Sequence, residues 1–74
     1  MNQHPFAHWV HHSGYSVREL SQMLKVTRQA VYLWMRGDAT PSMQHLIKLG
    51  RISHGGVQPW MWAKDEQDEQ KEQQ

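Results

Sequence analysis

Thr27, Arg28 and Gln29 stand in a row, and together they carry a hydroxyl with a methyl, a guanidinium and a carboxamide. Such a set can read flat hydrogen-bonding edges. A guanidinium can donate two parallel bonds to an acceptor pair such as guanine O6 and N7. A carboxamide can match adenine N6 and N7, and the threonine methyl can meet the methyl of thymine. Tyr32 and Leu33 follow one helical turn later on the same side, where the leucine offers only apolar contact. Arg18, Lys25, Arg36 and Lys48 add cations that could hold phosphate without reading sequence. Arg51 receives no role from its spacing.

Other chemistry is less well supplied. Six histidines are present, and His4, His8, His11 and His12 crowd the N-terminal segment. His8 and His12, at i and i+4, have a spacing that can chelate zinc or copper. No acidic residue lies nearby to orient such a site. Trp9 and Val10 sit among these histidines, so the four cannot share one face. No metal site and no cofactor are expected; a pH-sensitive surface is the alternative. His45 and His54 look isolated. There is no glycine-rich phosphate loop, no Ser/His/Asp arrangement on defined elements and no carboxylate pair in the body. A substrate pocket would also consume most of so small a core, so no enzyme is expected.

The elements that must position Thr27–Gln29 can be read around them. Pro5 suits a first helical turn, and Phe6, Trp9 and Val10 follow at i, i+3 and i+4, giving a first helix that stops at Gly14. Ser16-Val17-Arg18-Glu19 is a capping box, which starts a second helix at Val17 with Val17, Leu20 and Leu24 on its apolar face. Ser21 is small enough for another helix to approach. Lys25 and Val26 make a turn, and Thr27 caps a third helix, Arg28 to about Arg36, anchored by Val31 and Trp34. Gly37 ends it. Thr40-Pro41 predicts the cap and first residue of a fourth helix, with Leu46, Ile47 and Ile52 as its buried stripe, Leu49 beside it, and His54-Gly55-Gly56 as its stop. Val57–Trp62 is an apolar coda in which Trp60 is expected to pack on its own domain and Trp62 to meet a second subunit.

Two short helices joined by so tight a turn form the pattern of a helix-turn-helix, whose second helix presents its N-terminal residues to the major groove. The region from Phe6 to about Trp62 resembles the lambda-repressor-like helix-turn-helix family of phage repressors, Cro proteins and related bacterial regulators. Leu20, Ser21 and Leu24 match on the second helix. Val26, Thr27, Val31, Trp34 and Gly37 match on the turn and third helix, and Pro41, Leu46 and Ile47 beyond. The run VTRQAVYLWMRGDATPS is the most specific part, and HGGV at 54–57 is similar to the end of small Cro-type members.

The resemblance implies an all-α, compact bundle of four to five helices. It also implies base reading at Thr27, Arg28, Gln29 and Leu33, and a phosphate contact at Val17. Two positions depart from the family. Lys25 replaces the usual turn glycine and must adopt a left-handed conformation, at a cost of about 1 kcal/mol. Val17 cannot donate from its side chain, which leaves only its backbone N–H at a helix N-terminus. The implied function is that of a small phage- or plasmid-type repressor. It would bind a palindromic operator in double-stranded DNA as a homodimer, through the Trp60/Trp62 region, with half-sites about 34–36 Å apart. The alternative is a protein-interaction module on the same fold, an antitoxin-like or anti-repressor-like partner.

Composition agrees with this frame. The chain has 74 residues, enough for one domain with a marginal core. Residues 1–63 are expected to form the DNA-binding domain. They hold six bases (Arg18, Lys25, Arg28, Arg36, Lys48, Arg51) against two acids (Glu19, Asp38), a balance that suits a polyanion partner. Residues 64–74, KDEQDEQKEQQ, hold two bases against five acids and are expected to form a disordered acidic tail. There is no cysteine, hence no disulfide framework. The N-terminal segment lacks the basic and apolar regions of an export signal, so a cytoplasmic protein is expected.

Overall fold

In the computed structural model, which describes residues 3–63, every α-helix begins on a capping side chain, and the first three end on a left-handed residue. Helix α1 spans Pro5–Ser13, with Pro5 in its first turn. Its cap is His4, whose Nδ1 accepts the Phe6 N–H at 3.1 Å. This histidine is therefore a capping group, and its ring lies against Trp62 with centroids 5.4 Å apart. Gly14 ends α1 at φ 88°. Helix α2, Val17–Leu24, carries the full capping box: Ser16 Oγ accepts the Glu19 N–H at 3.0 Å, and a Glu19 carboxylate oxygen accepts the Ser16 N–H at 2.9 Å. Helix α3 covers Arg28–Arg36 and α4 covers Met43–Ile52. A single 3₁₀ turn, Pro59–Trp62, closes the described chain. The expected tail at 64–74 lies outside the described residues.

The core is formed by Phe6, Val10, Leu20, Leu24, Val31, Trp34, Leu49 and Val57. It is contributed by all four helices and by the loop that follows them. Helices α2 and α3 pack on each other, and α1 crosses α3. Ser21 is buried in this packing. Its hydroxyl donates to the Arg18 carbonyl at 2.7 Å, so the one buried polar side chain among the described residues is satisfied and leaves no desolvation cost.

Three expectations need correction. Helix α4 begins two residues later than Thr40-Pro41 suggests. Ser42 is its cap, with Oγ accepting the His45 N–H at 3.4 Å and bonded to His45 Nδ1 at 2.9 Å. Pro41 is instead buried in the loop, where a missing N–H also costs nothing. The stripe on α4 is also different. Leu49 is fully buried, Leu46 and Ile52 are half-buried, and Ile47 is 53 % exposed. Residues 47 and 49 are i and i+2, about 200° apart around a helix, so burial of Leu49 turns Ile47 outward.

The tryptophans of the coda exchange roles as well. Trp62 packs inward, its ring 5.3 Å from that of Phe6, and its Nε1–H donates to the Trp34 carbonyl at 3.1 Å. Trp60 is 63 % exposed. The cause is the tight 3₁₀ turn, which cannot aim residues two apart at the same surface. Replacing Trp62 with Ala should therefore cost about 2–4 kcal/mol, from lost ring packing and a lost hydrogen bond. Trp60→Ala should stay within about 0.5 kcal/mol in dilute solution. Thermal melts followed by circular dichroism check this, since about 1 kcal/mol moves the midpoint of so small a domain by about 4–8 °C. Equal losses from the two substitutions would contradict the packing described.

Candidate nucleic-acid interface

The site is built on the link between α2 and α3. After Leu24 the backbone turns left-handed at Lys25, φ 59° and ψ 45°. This conformation closes two hydrogen bonds onto the end of α2. The Lys25 N–H donates to the Gln22 carbonyl at 3.3 Å, and the Val26 N–H donates to the Ser21 carbonyl at 2.9 Å. These bonds satisfy carbonyls that would otherwise be orphaned at the helix end. Val26 then packs against the core. Thr27 starts α3 immediately, its Oγ1 accepting the Ala30 N–H at 3.0 Å. Two residues thus redirect the chain from one helix into the next. Gly37 ends α3 in the same manner at φ 80°, with its N–H bonded to the Trp34 carbonyl and the Asp38 N–H to the Leu33 carbonyl. A side chain at Gly37 would also collide with the His4 ring, 2.8 Å from an added Cβ.

Val31 and Trp34 hold α3 to the core, which leaves Arg28, Gln29, Tyr32 and Arg36 exposed on the opposite side. Arg28 and Gln29 have no hydrogen-bond or ionic partner among the described residues, so both ends of their side chains are available. Thr27 is exposed, but its hydroxyl already serves the cap; it retains one O–H to donate and its methyl. Tyr32 is 50 % exposed. Leu33 is half-buried, which narrows what it can offer to a ligand. At the start of α2 the capping box uses the Glu19 and Ser16 N–H groups. The Leu20 N–H reaches the Ser16 carbonyl at 3.0 Å. The backbone N–H groups of Val17 and Arg18 remain without partners among the described residues, at the positive end of the helix dipole where an anion is favoured.

A family model described as Helix-turn-helix matches residues 12–52. The chain belongs to this Cro- and repressor-like helix-turn-helix family. No curated protein and no solved structure matches it. Family membership makes the protein a DNA-binding regulator of the Cro type, acting on double-stranded DNA, and the family is not typically enzymatic. Among the described residues, no helix is long and apolar enough to cross a membrane.

Within this helix-turn-helix domain the expected contact residues fall into separate places. Thr27, Arg28 and Gln29 cluster at the start of α3. Val17 and Tyr32 are brought together, lining a shallow hollow with Val10, His11, Tyr15 and Met35. Lys25 and Lys48 are also brought together, on opposite walls of a groove between the inter-helix turn and α4. Arg18 is exposed on α2. Arg36 forms an ion pair with Asp38 at 3.2 Å, with both side chains more than half exposed. A pair that open to water is worth under about 1 kcal/mol, and a phosphate can displace it.

Arg51, Gln44 and His45 were not singled out by their spacing, yet they line the same groove as Lys25 and Lys48. Gln44, Lys48 and Arg51 do recur at i, i+4 and i+7, a signal of one helix face. His45 is not isolated: its ring lies 5.6 Å from that of Trp34. His8 and His12 face each other with ring centroids 4.3 Å apart. Among the described residues, no group of three or more His, Asp or Glu side chains could hold a metal ion.

Lys25 yields a direct test of the turn. Lys25→Gly should raise stability by about 0.5–1 kcal/mol, because glycine meets the left-handed conformation without the Cβ clash. If the lysine also meets phosphate, DNA binding should weaken evenly across sequences and the salt slope should fall by about 1. Urea unfolding and binding isotherms at several salt concentrations measure the two effects separately. A loss of stability in Lys25→Gly would refute the strain assigned to this position.

Proposed function

We propose that the protein is a sequence-specific repressor of phage or plasmid type, and that it binds a palindromic operator as a homodimer. Residues 1–63 serve as the DNA-binding domain. Thr27, Arg28 and Gln29 read base edges at the start of α3, with Tyr32 and Leu33 extending the contact along the groove. Phosphates are held by Arg18, Lys25, Arg36 and Lys48, and by the backbone N–H of Val17. The observation that supports this best is the pairing of an exposed, unpartnered Arg28-Gln29 with the open N–H groups of α2. Direct readout needs the first set, and docking in a fixed register needs the second.

A dimer follows from contact number and from exposed apolar surface. A single recognition helix makes few base contacts, and linking two copies multiplies affinity through effective concentration. Trp60, Met43 and Ile47 are all large, apolar and more than half exposed, and tryptophan and methionine are enriched where protein surfaces meet. Trp60 rather than Trp62 is the coda residue open to a partner. Two copies would present their α3 helices to half-sites about one helical turn apart. Occupying the operator would then block transcription by exclusion.

Selection of bound fragments from random duplex DNA tests this reading and should return a palindrome. Arg28→Ala should relax the preference at one base pair per half-site and cost about 1–3 kcal/mol on the selected sequence, with little loss on random DNA. Equal losses on both would remove Arg28 from base reading. Absence of binding at low salt, where phosphate contacts are strongest, would favour a protein partner instead.

A further inference from the structure

The groove between the inter-helix turn and α4 is not accounted for by base reading. It is lined by Leu24 and Ile47 together with three cations, Lys25, Lys48 and Arg51. Its volume is about 360 Å³. None of the three cations forms an ion pair among the described residues, where Arg36 and Asp38 make the only one. Three like charges around one small groove repel each other, and an anionic chain laid between them would be favoured over water and mobile ions.

The chain itself supplies such a segment. Residues 64–74 contain Asp65, Glu66, Asp68, Glu69 and Glu72, and one residue, Ala63, separates them from the 3₁₀ turn. Trp62 is fixed to the Trp34 carbonyl, and the Trp34 ring meets the ring of His45, which lines the groove. One residue before the end of the described chain, Trp62 is thus linked through Trp34 to the groove lining. The eleven residues of the tail reach about 36 Å when extended, whereas α4, along which the groove runs, is about 15 Å long. The tether keeps the tail at an effective concentration on the order of millimolar.

From this charge match and reach we propose that the acidic segment 64–74 docks in cis on Lys25, Lys48 and Arg51. Docked there, it covers two of the cations assigned to DNA phosphate, so the tail competes with DNA. That consequence, though not the docking, rests on the DNA-binding reading above. A docked tail must leave before phosphate binds, so it weakens every complex that uses these cations, most strongly at low salt.

The test uses the full chain and a variant with its five tail carboxylates neutralised: Asp65→Asn, Glu66→Gln, Asp68→Asn, Glu69→Gln and Glu72→Gln. Without DNA at low salt, the NMR signals of Lys25, Gln44, Lys48 and Arg51 should differ between the two chains, while those of Arg18 and Tyr32 stay put. The variant should bind random duplex DNA about 5–20-fold more tightly at about 50 mM salt, and the gap should close as salt screens the contact. Arg51→Glu, at a residue outside the proposed phosphate contacts, should shrink that gap. Unmoved groove signals would overturn the docking whatever happens to DNA. Signal changes that grow with protein concentration would place the tail on a second copy and overturn docking in cis. Groove signals that shift while neither chain binds DNA would support the docking and sink the DNA-binding reading alone.

Discussion

The domain closes around the ring of Phe6. That side chain is fully buried, and three indoles surround it: Trp62, Trp9 and Trp34, with ring centroids at 5.3, 6.0 and 6.4 Å. Trp9 comes from the same helix, Trp34 from α3, and Trp62 from the turn that ends the described chain. One aromatic cluster thus ties the first element to the third and to the last. In a domain of this size the whole core supplies only about 3–5 kcal/mol, about what one buried phenylalanine loses on truncation. Among the described residues there is no second cluster to fall back on. The same cluster also sets the position of α3, because the carbonyl that Trp62 caps belongs to Trp34, a core anchor of that helix.

Much of this was legible because helix ends announce themselves chemically. Ser16 with Glu19, Thr27 before α3, and Gly14 and Gly37 after α1 and α3 act where their types predict. Each serves a local rule that needs no knowledge of the rest of the chain. The failures share a different cause. The choice between Thr40 and Ser42 as the cap of α4 depends on where Pro41 is buried. The choice between Trp60 and Trp62 depends on which of them meets Phe6 and the Trp34 carbonyl. Ile47 adjoins Leu46 in sequence, but the burial of Leu49 turns it away from the core. Each was decided by tertiary contact, to which local spacing is blind. His4 illustrates the same limit, since its value as a cap becomes apparent only once α1 starts beside it. The exposure of Arg28 and Gln29, by contrast, follows from Val31 and Trp34 being inward, which spacing alone does show.

Stability and the proposed contacts pull against each other at the turn. Most helices that end in a left-handed residue place glycine there, and the chain does so after α1 and α3. Between α2 and α3 it has Lys25, and after α4 His54 takes the left-handed position at φ 55°. At His54 this conformation closes two backbone bonds onto the end of α4, from the His54 N–H to the Arg51 carbonyl at 3.2 Å and from the Gly55 N–H to the Gly50 carbonyl at 2.8 Å. At Lys25 the same conformation places a cation in the lining of a groove beside the helix-turn-helix. Glycine there would relieve the backbone but remove the charge, so the sequence holds a local conflict where a functional demand is expected to override local preference.

The distribution of charge extends that conflict to the whole domain. Of the six bases in residues 1–63, only Arg36 has an acidic partner among the described residues. Glu19, the other acid of the body, is engaged by the cap of α2. A fold seeking only stability would intersperse acids among these cations, since unpaired like charges weaken a compact state. Their segregation makes sense if the neutralising charge comes from outside the packed body. A DNA backbone supplies it in a complex, and in the proposed docking the carboxylates of residues 64–74 supply it when no DNA is bound. Both sources meet the same requirement, an anion that can leave. The cations of the body are therefore better understood as one exchangeable surface than as a set of fixed contacts, and salt is the variable to which its behaviour should respond most strongly.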